Sequence, residues 1–203
     1  MILNDRQILQ RKNMIDPMED VLVRRHEDTG RKMISYGLSS FGYDIRLGQK
    51  LLVCKPVTTK GPLKVEGVID PKAKNQDEES FYWEELYTVH DSSGEWAYIP
   101  AYGFALGNSV ERFEMPDDVV GVCVGKSTYA RCGLIVNVTP LEPGWEGYLT
   151  LELHNTTPRP IRVYINEGIA QIMFHQGERP STTYKERDGK YQDQPAHPVF
   201  AKV

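Results

Sequence analysis

Long apolar runs are missing from this 203-residue sequence. With no stretch of about 18 apolar residues, nothing in it reads as a membrane-spanning helix. Cysteine is scarce: Cys54, Cys123 and Cys132 are odd in number and far apart. That argues against a disulfide scaffold and for a reducing, cytoplasmic setting. The opening MILNDRQILQRKN lacks the charged-then-apolar order of a secretory signal. An excess of positive charge is lacking too, since 24 Lys and Arg against 28 Asp and Glu leave a net of -4. No overall basic field exists to hold a DNA or RNA backbone. What the chain does have is 17 glycines and 13 prolines, well spread, which favour a turn-rich β protein over a helical bundle. Its length fits a single domain over 1–203 that buries enough surface to fold without disulfides.

One short helix is expected within the N-terminal segment 1–16. Asn4 or Asp5 can cap it, Gln7 can reach back as in a capping box, and Ile8 and Leu9 supply an apolar stripe. It should end near Asn13, because Pro17 disfavours helix at Asp16. Strand-like runs follow at 21–24, 43–47, 51–54, 96–99, 103–110, 119–124, 134–138, 148–154, 161–165 and 169–174. Turn residues separate them at short intervals, as in a sandwich, barrel or jelly roll. Two stretches break the rhythm. Residues 55–80 are polar and carry Pro and Lys, as a long surface excursion would. Residues 176–203 read as a tail, either a solvated terminus or a flap that orders over an anionic ligand.

The run Tyr148 to His154 alternates. Leu149, Leu151 and Leu153 share one face; Thr150, Glu152 and His154 share the other. Glu152 is therefore either solvated or held in a partly buried polar pocket, where desolvation would suit it to proton transfer near neutrality. Gly125–Lys126–Ser127 suggests a phosphate loop, but Val120 stands where that motif needs glycine, and the β-branched run from Ile135 replaces the helix that should follow. What remains is a turn or short helical segment over 125–133 presenting Lys126, Ser127 and Arg131. Those charges suit a phosphate or carboxylate, or are ordinary surface charges. Cys132 beside Arg131 could be an activated thiol but reads first as a small packing residue. The segment Pro140 to Gly147 is a stiff hairpin loop that can offer backbone groups to a base edge or serve as a plain connection. No C-x-x-C, H-x-E or H-E-x-x-H occurs, so zinc deaminase and protease motifs are absent, and no G-x-S-x-G supports a serine triad.

Taken in order, these segments resemble the dCTP deaminase family of the trimeric dUTPase superfamily. The resemblance is carried by Ser39 to Leu47 (SSFGYDIRL), Gly125 to Gly133, Leu141 to Glu152, Gly168 to Phe174, and Tyr184 with Lys190, Tyr191 and Gln194. It implies a mainly β, distorted jelly-roll or β-barrel fold of the dUTPase-like type. It also implies a homotrimer with sites at subunit interfaces, and hydrolytic deamination of dCTP to dUTP and ammonia. By that resemblance Glu152 is the catalytic proton carrier, Ser127 orients it or the water, and Arg131 stabilises the tetrahedral intermediate. Substrate would be held by residues 126–131 (Lys126, Ser127, Thr128, Tyr129, Ala130, Arg131), by Thr150, Leu151 and Glu152, and by Gln171, Tyr184, Lys190 and Gln194. Mg²⁺ is expected only on the triphosphate, with no zinc. The chain departs from the family pattern in a shorter 140–142 loop without Arg, and in Lys126 where Arg is commoner. Leu141 to Gly147 also echoes the dUTPase pattern, with Glu142 where a water-activating Asp sits. A dUTPase, or a bifunctional enzyme giving dUMP, is therefore the competing reading; a non-catalytic nucleotide-binding module is the third.

Overall fold

The structure, a computed structural model, describes residues 1–11, 13–55, 69, 71–72 and 82–202. The polar excursion expected at 55–80 lies almost wholly outside them. Asn4 caps helix α1 (Asp5–Leu9) and forms the capping box with Gln7, as the local pattern predicts. The helix stops at Leu9, four residues short of the expected end, because the chain turns there to bury Met14 and Ile15.

Thirteen strands follow among the described residues. They are β1 (Ile15–Asp16), β2 (Leu22–Arg25), β3 (Lys32–Ser39), β4 (Gly42–Cys54), β5 (Trp83–Glu85), β6 (Val89–Asp91) and β7 (Gly94–Ile99). The rest are β8 (Phe104–Glu114), β9 (Val119–Gly125), β10 (Leu134–Asn137), β11 (Glu146–Asn155), β12 (Ile161–Tyr164) and β13 (Gly168–Gln176). One turn of helix, α2 (Ser127–Ala130), lies between β9 and β10. The main sheet runs β10-β11-β8-β4-β13-β9, and β12-β7-β6 form a separate small sheet.

Strand β4 joins the two halves of the main sheet. Its first residues pair with β3 and β13, its last with β5 and β8, and the register shifts between Leu47 and Leu51. Gly48 sits in that break, where a Cβ would lie 2.4 Å from Asn108 Nδ2. The two strands expected at 43–47 and 51–54 are thus one bent strand, and the bend curls the sheet into a half-barrel. Tyr43, Ile45, Leu47, Leu51, Phe113, Leu151, Leu153, Ile172 and Phe174 belong to its core.

Strand β8 runs four residues past its expected end at Val110. Glu111, just beyond that end, is fully buried, with Oε1 accepting from Arg46 Nε at 2.7 Å and Oε2 from the Arg46 backbone N–H at 3.0 Å. Burial pushes its carboxyl up while Arg46 opposes the shift. The pairing meets the hydrogen-bonding needs of a charge that would otherwise be costly to bury.

Candidate functional site

Strand β11 places the site. Leu149, Leu151 and Leu153 are buried, while Thr150 and Glu152 are half-buried on the opposite face and His154 is exposed. Glu152 stands opposite Asn137 of β10 on one side and Leu106 of β8 on the other. Its Oε2 accepts a hydrogen bond from the Asn137 side-chain amide. Leu106, Leu149, Thr150 and Glu152 border a cleft of about 830 Å³ that also takes in Trp83, Phe104, Thr139, Glu142 and Trp145.

The tail forms the other wall. Tyr184, Arg187, Lys190, Tyr191, Gln194, Val199 and Phe200 line the same cleft. The tail crosses β11 at Gly147, where the Tyr148 N–H donates to Gln194 O at 3.0 Å and φ is +136°. Thr150 fastens it twice: its hydroxyl donates to Gln194 Oε1 at 2.9 Å and accepts from the Val199 N–H at 3.1 Å. The Trp145 indole donates to Tyr191 O at 2.7 Å, and the Tyr191 N–H donates to the Tyr184 hydroxyl at 3.0 Å. Arg187 forms an ion pair with Glu142 and lies 5.1 Å from the Tyr184 ring centroid. Phe200 packs against Trp83 with centroids 5.7 Å apart.

The remaining sequence-derived candidates lie elsewhere in the chain. Ser127, Thr128 and Ala130 on α2, and Arg131 just after it, are exposed and do not line the described cleft. Tyr129 is buried, with its hydroxyl accepting from the Tyr164 N–H at 2.9 Å. Lys126 pairs with the buried carboxylate of Asp44. Gln171, beside Asp44 in the β13–β4 register, donates to Ser39 Oγ at 3.1 Å. Leu151 is fully buried in the core and does not line the described cleft. Within a single chain, the carboxylate cleft closed by the tail is therefore separate from the cationic turn beside Lys126, Asp44 and Gln171.

The three cysteines are free, and burial pushes the Cys123 thiol up to about 12. Cys132 is exposed and packs against nothing in the core, contrary to its expected role. Among the described residues, no group of three or more His, Cys, Asp or Glu is placed to hold a metal ion. No helix there is long and apolar enough to cross a membrane.

Comparison with known proteins identifies the family. The sequence model of the dCTP deaminase-like family matches residues 2–177. The chain belongs to the dCTP deaminase-like family. A dCTP deaminase of Chlamydia trachomatis is 48% identical over 184 residues, covering 90% of this chain and 88% of the relative. One from an Acidovorax species is 48% identical over 190 residues, 93% and 91% of the two chains. One from Campylobacter jejuni is 50% identical over 166 residues, 81% and 80%. The crystal structure of 2'-deoxycytidine 5'-triphosphate deaminase from Agrobacterium tumefaciens superposes with a TM-score of 0.55 at 19% identity, over 87% of this chain and 48% of that one. At that identity the likeness shows the fold, which is the dUTPase-like one.

Within this dCTP deaminase-like chain, residues that the sequence did not assign to the site also gather at the cleft or at Glu152. Asn137, Arg187, Trp83 and Phe200 reach the cleft rim or Glu152 through pairings across strands or from the tail. Asn137 left a trace in the sequence as the polar position in the alternating run from Leu134, and Arg187 as one of the basic residues spaced along the tail.

Proposed function

We propose that the protein deaminates dCTP hydrolytically, giving dUTP and ammonia in pyrimidine deoxynucleotide metabolism. The observation that carries this reading is Glu152, a carboxylate facing a cleft closed by the chain's own tail, in a family whose 48%-identical relatives are named dCTP deaminase. Glu152 takes a proton from water as the oxygen attacks C4 of the cytosine. It delivers one proton to N3, and the exocyclic amine leaves as ammonia with a second, so water is consumed and the ring becomes uracil. Lys190, Tyr184 and Gln194 from the tail, with Lys126 and Gln171 from beside the cationic turn, bind the triphosphate and the Mg²⁺ it carries as part of the substrate. Arg131 stabilises the charge that develops at the reacting carbon, and Ser127 orients the water.

Because α2 does not line the cleft of its own chain, this assignment calls for a site completed by a neighbouring subunit, which supports a symmetric homotrimer. Three free cysteines support a reducing, cytoplasmic location. Glu142, the residue that echoes a dUTPase base, is engaged by Arg187, and this favours release of dUTP over its onward hydrolysis. A single assay with dCTP and Mg²⁺ separates the readings. Ammonia with dUTP is expected, and Glu152→Gln should lower the rate by at least about 100-fold. Ammonia with dUMP and pyrophosphate would make the enzyme bifunctional. Undiminished ammonia from Glu152→Gln would remove Glu152 from the mechanism.

A further inference from the structure

Asn137 stands directly across from Glu152 in the β10–β11 ladder, and its side-chain amide donates to Glu152 Oε2. The neighbours of Glu152 leave that task to no other described side chain on its strand face. On the opposite flank its register partner is Leu106, nearly buried and without a polar side-chain atom. Along the strand, Thr150 spends its hydroxyl on the tail, and His154 sets its ring edge-on to Phe104 at 6.5 Å. Asn137 itself has a firm base. Leu134 and Val136 are buried on the other face of β10, so strand alternation keeps Asn137 on the face of Glu152.

A carboxylate that takes and returns protons has to be held in both of its states. Ionised, it only accepts hydrogen bonds; protonated, it gains a donor. A side-chain amide carries an NH₂ donor and a carbonyl acceptor on one planar group, so a flip about its last bond serves either state. It also adds no titrating group to compete for the proton. Engaging Oε2 leaves Oε1 for the water. We propose that Asn137 is the positioning residue for Glu152, fixing the plane of its carboxylate from the neighbouring strand through both halves of the proton shuttle. The inference rests on Glu152 as the proton carrier of the proposed deamination.

Three variants of the full chain, assayed with dCTP and Mg²⁺, test it. Asn137→Asp keeps size and shape but replaces the donor with a second carboxylate. Asn137→Ser keeps a short donor, and Glu152→Gln gauges the underlying mechanism. Asn137 is exposed, so both of its variants should melt at the wild-type temperature. Misplacing a reacting group by about 1 Å costs about 100-fold. That is the loss in kcat expected of Asn137→Asp, with KM changed less than about threefold. Asn137→Ser should recover to within about tenfold of wild type. Wild-type kcat in Asn137→Asp beside an inactive Glu152→Gln would overturn the role of Asn137 and leave Glu152 in place. Full activity in Glu152→Gln would instead overturn the mechanism on which the inference rests. Equal losses in Asp and Ser, matched by a fall in melting temperature, would make Asn137 a structural residue and overturn the proposal.

Discussion

At the scale of single residues, the cleft depends on a few positions where a side chain, or its absence, decides what can approach. Gly147 is one. Its φ of +136° suits glycine, and a Cβ there would meet the Gln194 backbone N at 2.5 Å. Gly147→Ala should therefore lift the tail off β11 and strain the backbone by about 1–3 kcal/mol. Faster proteolytic cleavage within 183–202, together with a raised KM for dCTP, would report it; an unchanged cleavage rate would show that the tail docks without Gly147. Lys126 is another such position. Its charge was legible as a candidate anion ligand, but its commitment to Asp44, 82 residues away, was not. Any phosphate it holds must share it with a buried carboxylate.

Among the elements, β11 was the most legible, because a two-residue period states which side chains face the core whatever the strand pairs with. Its alternation assigned Glu152 to the outer face, and the structure places it there. Strand β3 went unread, since Lys32–Ser39 carries no clear alternation and most of its side chains are only half-buried. The hairpin of β6 and β7 was half seen, and it carries a pH dependence of its own. The Ser93 hydroxyl, the Ser93 N–H and the Trp96 indole N–H all donate to Asp91, holding its carboxyl at about 2 instead of 3.8. A depressed acid contributes stability that is present above its unfolded value and is lost as pH falls through the folded one. The hairpin should thus loosen between pH 3.8 and about 2. Asp91→Asn should flatten that response, read from the Trp96 indole proton resonance. An identical acid transition in the variant would exclude Asp91 as its source.

For the whole molecule, the separation of the α2 turn from the tail-covered cleft is the decisive feature. If sites form between subunits, two defective chains can repair each other. Glu152→Gln and Arg131→Ala should each be inactive alone. Mixed in equal amounts and reassembled, they should recover about a quarter of wild-type activity, the fraction of interfaces with both sound halves in a randomly mixed ring. Sedimentation should give three times the 23.2 kDa chain mass. No recovery on mixing, with exchange of subunits verified, would place both residues in one chain's site or remove Arg131 from it.

Properties set by neighbouring positions could be read from the chain alone. The capping box at Asn4 and Gln7, the inward leucines of β11, the turn-rich β character and the motif-based family resemblance all follow from short spacings and local chemistry. Pairings between distant residues could not be read this way. Asn137 meets Glu152, Arg187 meets Glu142, Glu111 meets Arg46, and the tail lies over Gly147 because strand register and chain return bring them together. Strand periodicity says which face a side chain takes, but it does not say which strand lies alongside. That choice belongs to the packed sheet, where burying the core on one face settles who stands opposite whom on the other.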